Sequence, residues 1–147
     1  MKTLGTLLAV GALAALGACA PAAAPETAKP LPAPTGGSAL AGGEWKVTEI
    51  GGVPVIADVP VTIEFKEGRV FGAGSCNRFM GGYEAGAKFE IKLGMMASTM
   101  MACADGQMAQ EGKYLALLAE ISSYSIDSTG ALILKAPDGR TIKAKRA

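Results

Sequence analysis

Histidine is absent from this 147-residue chain, and tryptophan occurs once, at Trp45. Without histidine there is no Ser-His or Cys-His nucleophile pair and no imidazole base. The commonest zinc and copper ligand is missing too, which excludes ordinary catalytic zinc sites. No run of like charges occurs, and no apolar run reaches the ~20 residues that a membrane-spanning helix needs. A phosphate loop is lacking as well. "GAGSCN" from Gly72 opens with GxGxxG spacing, but the third glycine position is Asn77, which leaves a bend between strands. Glu64, Glu67, Glu84 and Glu90 fall on strands or turns as solvated carboxylates, with no spacing that pairs them as acid and base. No catalysis, cofactor or histidine-based metal site is expected.

The N-terminus sets the compartment. "MKTLGTLLAVGALAALGAC" places Lys2 before an apolar run from Leu4 to Leu16, followed by small residues up to Cys19. That is the layout of a secretory signal peptide, residues 1–18. "LGAC", Leu16 to Cys19, resembles the lipobox of bacterial lipoproteins. The resemblance implies cleavage before Cys19, lipidation of its sulfur and anchoring by several acyl chains, which hold far better than one. Ala20 stands where an inner-membrane retention signal would place Asp, so the implied location is the outer membrane, periplasmic face.

Residues 19–43, rich in Ala, Pro and Gly, have too little apolar bulk to offset the entropy of ordering and read as a tether. Residues 44–147 suit one domain. Removing Lys2 with the signal leaves 13 basic and 13 acidic side chains. This balance gives no electrostatic footprint for nucleic acid.

Within that domain, "EWKVTEI", "VTIEF", "KFEIKL", "ALILK" and "TIKAK" alternate apolar with polar residues, the mark of strands with one wet face. Phe89, Ile91 and Leu93 are expected on one inward face. "ADGQMAQEGKYLALLAEISS" breaks the alternation. Met108, Leu115, Leu118 and Ser122 recur near helical spacing, with Tyr114, Leu117 and Ile121 widening the apolar side. Asp105 is the expected N-cap. About nine short antiparallel strands with one late helix is an α+β pattern. Leu115, Leu118 and Ile121 are expected to fill the core, with Tyr114 or Leu117 nearer an open seam.

Sulfur is concentrated in one region. Cys76 and Cys103 remain once Cys19 is acylated, and in an oxidising compartment an even pair favours a disulfide, the rival being two free buried thiols. Six of the seven methionines lie between Met80 and Met108, and "MMASTMMAC" packs four of them with Cys103 into nine positions. Thioethers with thiolates select Cu(I). Against a metal site, adjacent pairs in an extended segment point to opposite faces, so methionine as core filler is the expectation.

"GAGSCNRFMGGY" followed by "MMASTMMACADGQMAQEGKYLALL" resembles the META domain, the HslJ-like family of bacterial heat-shock lipoproteins. The family pattern falls on Trp45, Cys76, Asn77, Arg78, Phe79, Gly81, Tyr83, Thr99, Met101, Cys103 and Glu111. The resemblance implies a curled, incompletely closed antiparallel sheet around one helix, similar to the cracked barrel of type III secretion pilot lipoproteins, some of which hold lipid. It implies no enzyme chemistry or cofactor, and links to envelope stress and antibiotic tolerance. It also makes the methionine stretch a structural signature that delivers Cys103 to Cys76. Asn77 and Arg78 are the polar candidates for function. The simpler expectation is that Asn77 bonds the backbone of the bend and Arg78 pairs with a helix carboxylate such as Glu111. The expected role is a non-catalytic envelope lipoprotein, anchored in the membrane, that binds a protein partner or lipid during stress. The alternative is a periplasmic Cu(I)-binding protein using Met and Cys ligands.

Overall fold

Alternating side chains build most of the chain into antiparallel strands. The computed structural model describes residues 38–147; the expected signal peptide, the lipidation position Cys19 and most of the tether lie outside the described residues. The strands are β1 (Trp45–Ile50), β2 (Val53–Pro54), β3 (Thr62–Lys66), β4 (Arg69–Ala73), β5 (Arg78–Ala85), β6 (Ile91–Leu93) and β7 (Ala97–Ser98). The helix α1 (Asp105–Ala119) follows, then β8 (Ser123–Ile126), β9 (Leu132–Lys135) and β10 (Thr141–Arg146). They form one sheet in the order β6-β5-β4-β3-β1-β10-β9-β8, with β2 beside β1 and β7 beside β5. Its two ends meet at a single Glu90–Ser123 bridge, where the Ile91 N–H donates to the Ser122 carbonyl over 3.1 Å. The result is a nearly closed antiparallel barrel with one helix: the antiparallel strands and single helix match the α+β pattern, and the near closure is what the family resemblance implied.

Local chemistry fixes the register. Between β3 and β4, Glu67 and Gly68 both take positive φ, 50° and 76°, which suits a two-residue hairpin turn whose twist matches its strands. In β1, Trp45 and Val47 point inward, and strict alternation would then turn Glu49 inward as well. A register shift between Val47 and Glu49 prevents this. It returns Ile50 to the core opposite Ile142 and leaves the Glu49 carboxylate 2.9 Å from the Lys143 ammonium. Ile63, Phe65, Leu132, Leu134 and Ile142 complete the interior. Phe65 and Tyr83 meet edge to face at 5.1 Å.

Three expectations change here. The inward face of "KFEIKL" begins at Ile91: Lys88 and Phe89 both have positive φ, which breaks the strand, so Phe89 is exposed and packs edge-on against Tyr124. Asp105 is the first helical residue rather than the cap. The Ala104 carbonyl accepts from the Gln107 and Met108 N–H groups, with no side-chain cap. The buried side of α1 is Glu111, Tyr114, Leu117 and Leu118, so Tyr114 and Leu117 belong to the core rather than to a seam, and Leu115 is only partly buried.

The folded region also starts before residue 44. Leu40 is fully buried, and its carbonyl accepts the Trp45 indole N–H over 3.0 Å. Arg146 closes over this strap, donating to the carbonyls of Ala39, Ala41 and Gly43 while its guanidinium lies 3.9 Å from the Trp45 ring centroid. An apolar side chain, a stacked cation and four backbone acceptors together hold residues 39–43 against the barrel.

Candidate functional site

Six residues of the family pattern, Cys76, Asn77, Thr99, Met101, Cys103 and Glu111, converge where α1 meets the bend before β5. Glu111 is 6 % exposed, facing inward from the helix. Its Oε2 accepts from the backbone N–H groups of Asn77 and Cys76 at 2.6 and 3.0 Å, and its Oε1 accepts from Asn77 Nδ2 at 2.8 Å. Asn77 turns its other side to the β7 arm. Its Oδ1 accepts from the Thr99 hydroxyl at 2.9 Å and the Met101 N–H at 2.7 Å, while Nδ2 also reaches the Met101 carbonyl at 3.3 Å. The Thr99 hydroxyl oxygen in turn accepts the Arg78 N–H over 3.1 Å. Cys76 and Cys103 close the same junction as a disulfide, with Cα atoms 5.9 Å apart. One amide and one carboxylate thus bind the bend, the arm and the helix together.

This arrangement explains the small residues around it. A Cβ on Gly74 would lie 2.8 Å from Glu111 Oε2, and one on Gly81 would lie 2.6 Å from the Met96 sulfur. The approach of carboxylate and thioether to bare backbone is available only to glycine at these positions.

Burial pushes the Glu111 carboxyl upward, but the bonds from the Asn77 backbone and side chain and from the Cys76 backbone outweigh it and hold the group below the usual glutamate range. A carboxylate with these donors in place is a fixed structural anion, with little basicity to offer a substrate. Burial raises the Tyr114 phenol, whose hydroxyl donates to the Thr62 carbonyl at 3.3 Å. Among the described residues, no buried side-chain nitrogen or oxygen lacks a hydrogen-bond partner. No group of three His, Cys, Asp or Glu side chains among them could hold a metal ion.

The expected pairing of Arg78 with Glu111 does not occur. The carboxylate is occupied by Asn77 and Cys76, and the Arg78 side chain is on the outer face of β5, exposed. Trp45 and Tyr83 are core residues, and Thr99 and Met101 are contacted through the hydroxyl and the backbone. The methionine stretch is not core. Met95 is 97 % and Met100 98 % exposed, and Met80, Met101 and Met108 are exposed as well. Met96 is the exception, partly buried against Gly81. The stretch includes the two-residue strand β7 and is held by Asn77 and the disulfide, so its side chains need no burial to stay in place.

Gln110 escaped the sequence reading, and its only signal there is its position next to Glu111. Its amide nitrogen donates to the Ser75 hydroxyl and its oxygen accepts the Ile56 N–H, both at 2.8 Å. This fixes the segment after β2 beside the helix. A groove of about 210 Å³ lies between them, with Val53, Pro54 and Ile56 on one wall and Gly106, Ala109 and Lys113 on the other. Val53 is 65 % exposed. The barrel seam is different in character: the charged side chains of Glu84, Glu90 and Lys92 line its opening with Ile91.

A META domain model matches residues 38–147, the same span that the structure describes. A protein from Burkholderia xenovorans, solved by NMR, is similar at 23% identity with a TM-score of 0.59, over 86% of this chain and 98% of that one. A second NMR structure is similar at 23% identity and a TM-score of 0.57, over 71% of this chain and 88% of that one. A DUF4847 family protein from Bacteroides vulgatus is similar at 18% identity and a TM-score of 0.53, over 71% of this chain and 92% of its own. These likenesses concern the fold. No curated protein matches the chain.

Proposed function

The chain belongs to the META domain family, and on that premise we propose that it is a non-catalytic lipoprotein of the outer membrane that binds an envelope protein during stress. The anchor is Cys19, and the proline-rich segment after it holds the domain away from the bilayer. The observation that carries the binding role is the groove between β2 and α1, where Val53 and Ile56 stand exposed beside Ala109. Elsewhere large apolar side chains on strands β1 and β3 turn inward. A rigid wall supports the groove, because Gln110 and the Glu111 junction tie its helix to the bend. An apolar segment of a partner with an acidic group near Lys113 fits this surface.

The test is capture from native envelopes with the lipidated protein and with Val53→Asp, a substitution on an exposed site. The same partner should be captured by the first and lost with the second, at unchanged thermal stability. Equal capture by both removes the groove from the account. Saturable binding of a fluorescent fatty acid, weakened by Val53→Asp, would replace the protein partner with lipid. A second reading, Cu(I) binding, draws on one observation: the thioethers of Met80, Met95, Met100 and Met101 are exposed rather than packed. It requires tight Cu(I) binding by the reduced protein that disappears in Met100→Leu, Met101→Leu.

A further inference from the structure

Five exposed thioethers within residues 80–108 go beyond what the partner groove between β2 and α1 requires, since none of them lines it. Met95 and Met100 are almost entirely in solvent, and Met80 pairs across the sheet with Ala97 of the same arm. Isolated apolar residues at a surface are ordinary, but here one short arm carries Met95, Met100 and Met101 outward. The arm is also fixed without them. The Thr99 N–H donates to the Arg78 carbonyl at 3.0 Å, the Met101 N–H donates to Asn77 Oδ1, and Cys103 is covalently bound to Cys76. None of these attachments uses a methionine side chain.

The rest of the described surface offers an electrophilic oxidant little competition. The chain has no histidine, Trp45 is buried, and Cys76 and Cys103 are already in a disulfide. We infer that the arm from Met95 to Met101, with Met80 beside it, is an oxidant-trapping surface whose substrates are two-electron oxygen donors such as hypohalous acids. The sulfur lone pair attacks the oxygen of hypochlorous acid and the O–Cl bond breaks. Chloride leaves with the electron pair, the proton goes to solvent, and the product is methionine sulfoxide. The thioether loses two electrons and the oxidant gains them. Conversion makes each side chain more polar, and for side chains that pack against nothing this leaves the barrel intact. Met96 supplies an internal contrast, because its sulfur lies under β5 against Gly81.

The experiment adds limiting hypochlorous acid to the purified full chain and follows each methionine by peptide mass spectrometry. Met95 and Met100 should convert on the order of tenfold faster than Met96, since susceptibility follows exposure. Near-ultraviolet dichroism should be unchanged at that point. In a mixture with a methionine-containing peptide, the chain should slow oxidation of the peptide, and Met95→Leu, Met100→Leu should protect it less. Conversion of Met96 in step with Met95, loss of the tertiary signal as Met95 and Met100 convert, or equal protection by the Leu variant would each overturn the inference.

Discussion

Replacing Glu111 with alanine removes the acceptor of three hydrogen bonds at once, while leaving a residue that suits the middle of a helix. The Asn77 N–H is then buried with no partner, and Asn77 Nδ2 keeps only the longer bond to the Met101 carbonyl. The Cys76 N–H, in a half-buried residue, can turn to water. Each stranded buried donor costs about 1–3 kcal/mol, and bonds to a charged acceptor stand at the upper end, so we expect a loss of about 3–5 kcal/mol. Glu111→Gln separates charge from shape. Its amide can present oxygen to the two backbone donors only by turning its NH2 toward Asn77 Nδ2. Asn77 cannot flip to accommodate it, because its Oδ1 already serves Thr99 and Met101. A loss of about 2 kcal/mol follows from that one clash.

Acid should reproduce the Gln variant. The Glu111 carboxyl is held below its unfolded value of about 4.3, so its contribution is fully present above that pH and is lost as pH falls through the lower folded value. The stability difference between native protein and Glu111→Gln should therefore shrink below about pH 4. Urea unfolding followed by the emission of Trp45, with the disulfide intact, measures all three quantities. A cost under about 1 kcal/mol for Glu111→Ala, or no cost for Glu111→Gln at neutral pH, would refute this account of the junction.

Reducing the Cys76–Cys103 disulfide should lower stability by up to about 3.5 kcal/mol on the chain-entropy model, read as a shift of the urea midpoint with and without reductant. Leu118→Ala should cost about 2–5 kcal/mol, because the side chain is fully buried; a smaller change by thermal melting would mean that the core can collapse around the gap. Gly74→Ala sets a methyl group against the Glu111 carboxylate, and a loss of about 1–3 kcal/mol is expected from chemical unfolding.

The strands that alternate cleanly could be read in advance. Ile63 and Phe65, Ile91 and Leu93, Leu132 and Leu134 are inward wherever period two runs undisturbed. It fails where the backbone departs from the pleat: at the β1 register shift, and at Phe89 with its positive φ. The helix and the burial of Leu118 and Ile121 follow from the spacing, but the centre of its buried face does not, because that stripe begins with a carboxylate. Glu111, Tyr114 and Leu118 form one line, whereas Met108 and Leu115, which looked like core, flank it. The two-residue strands β2 and β7 have no sequence period to detect. Leu40 was hidden because the strap that carries it is held by Trp45, which bonds its carbonyl, and by Arg146, which bonds its neighbours, from strands at the two ends of the domain. The motif residues were recognisable by resemblance, but that the Asn77 amide would take both the helix carboxylate and the arm backbone is a fact of tertiary structure alone.

The binding role is tested most directly by a photo-crosslinking amino acid at Val53, with one at Ser125, an exposed position on β8, as the reference. Illumination of intact envelopes containing the protein should give a discrete adduct with one envelope protein from position 53. That adduct should be absent from position 125 and should disappear when Ala109→Asp is added. Identical products from positions 53 and 125, or a position-53 adduct that survives Ala109→Asp, would contradict a partner seated between β2 and α1.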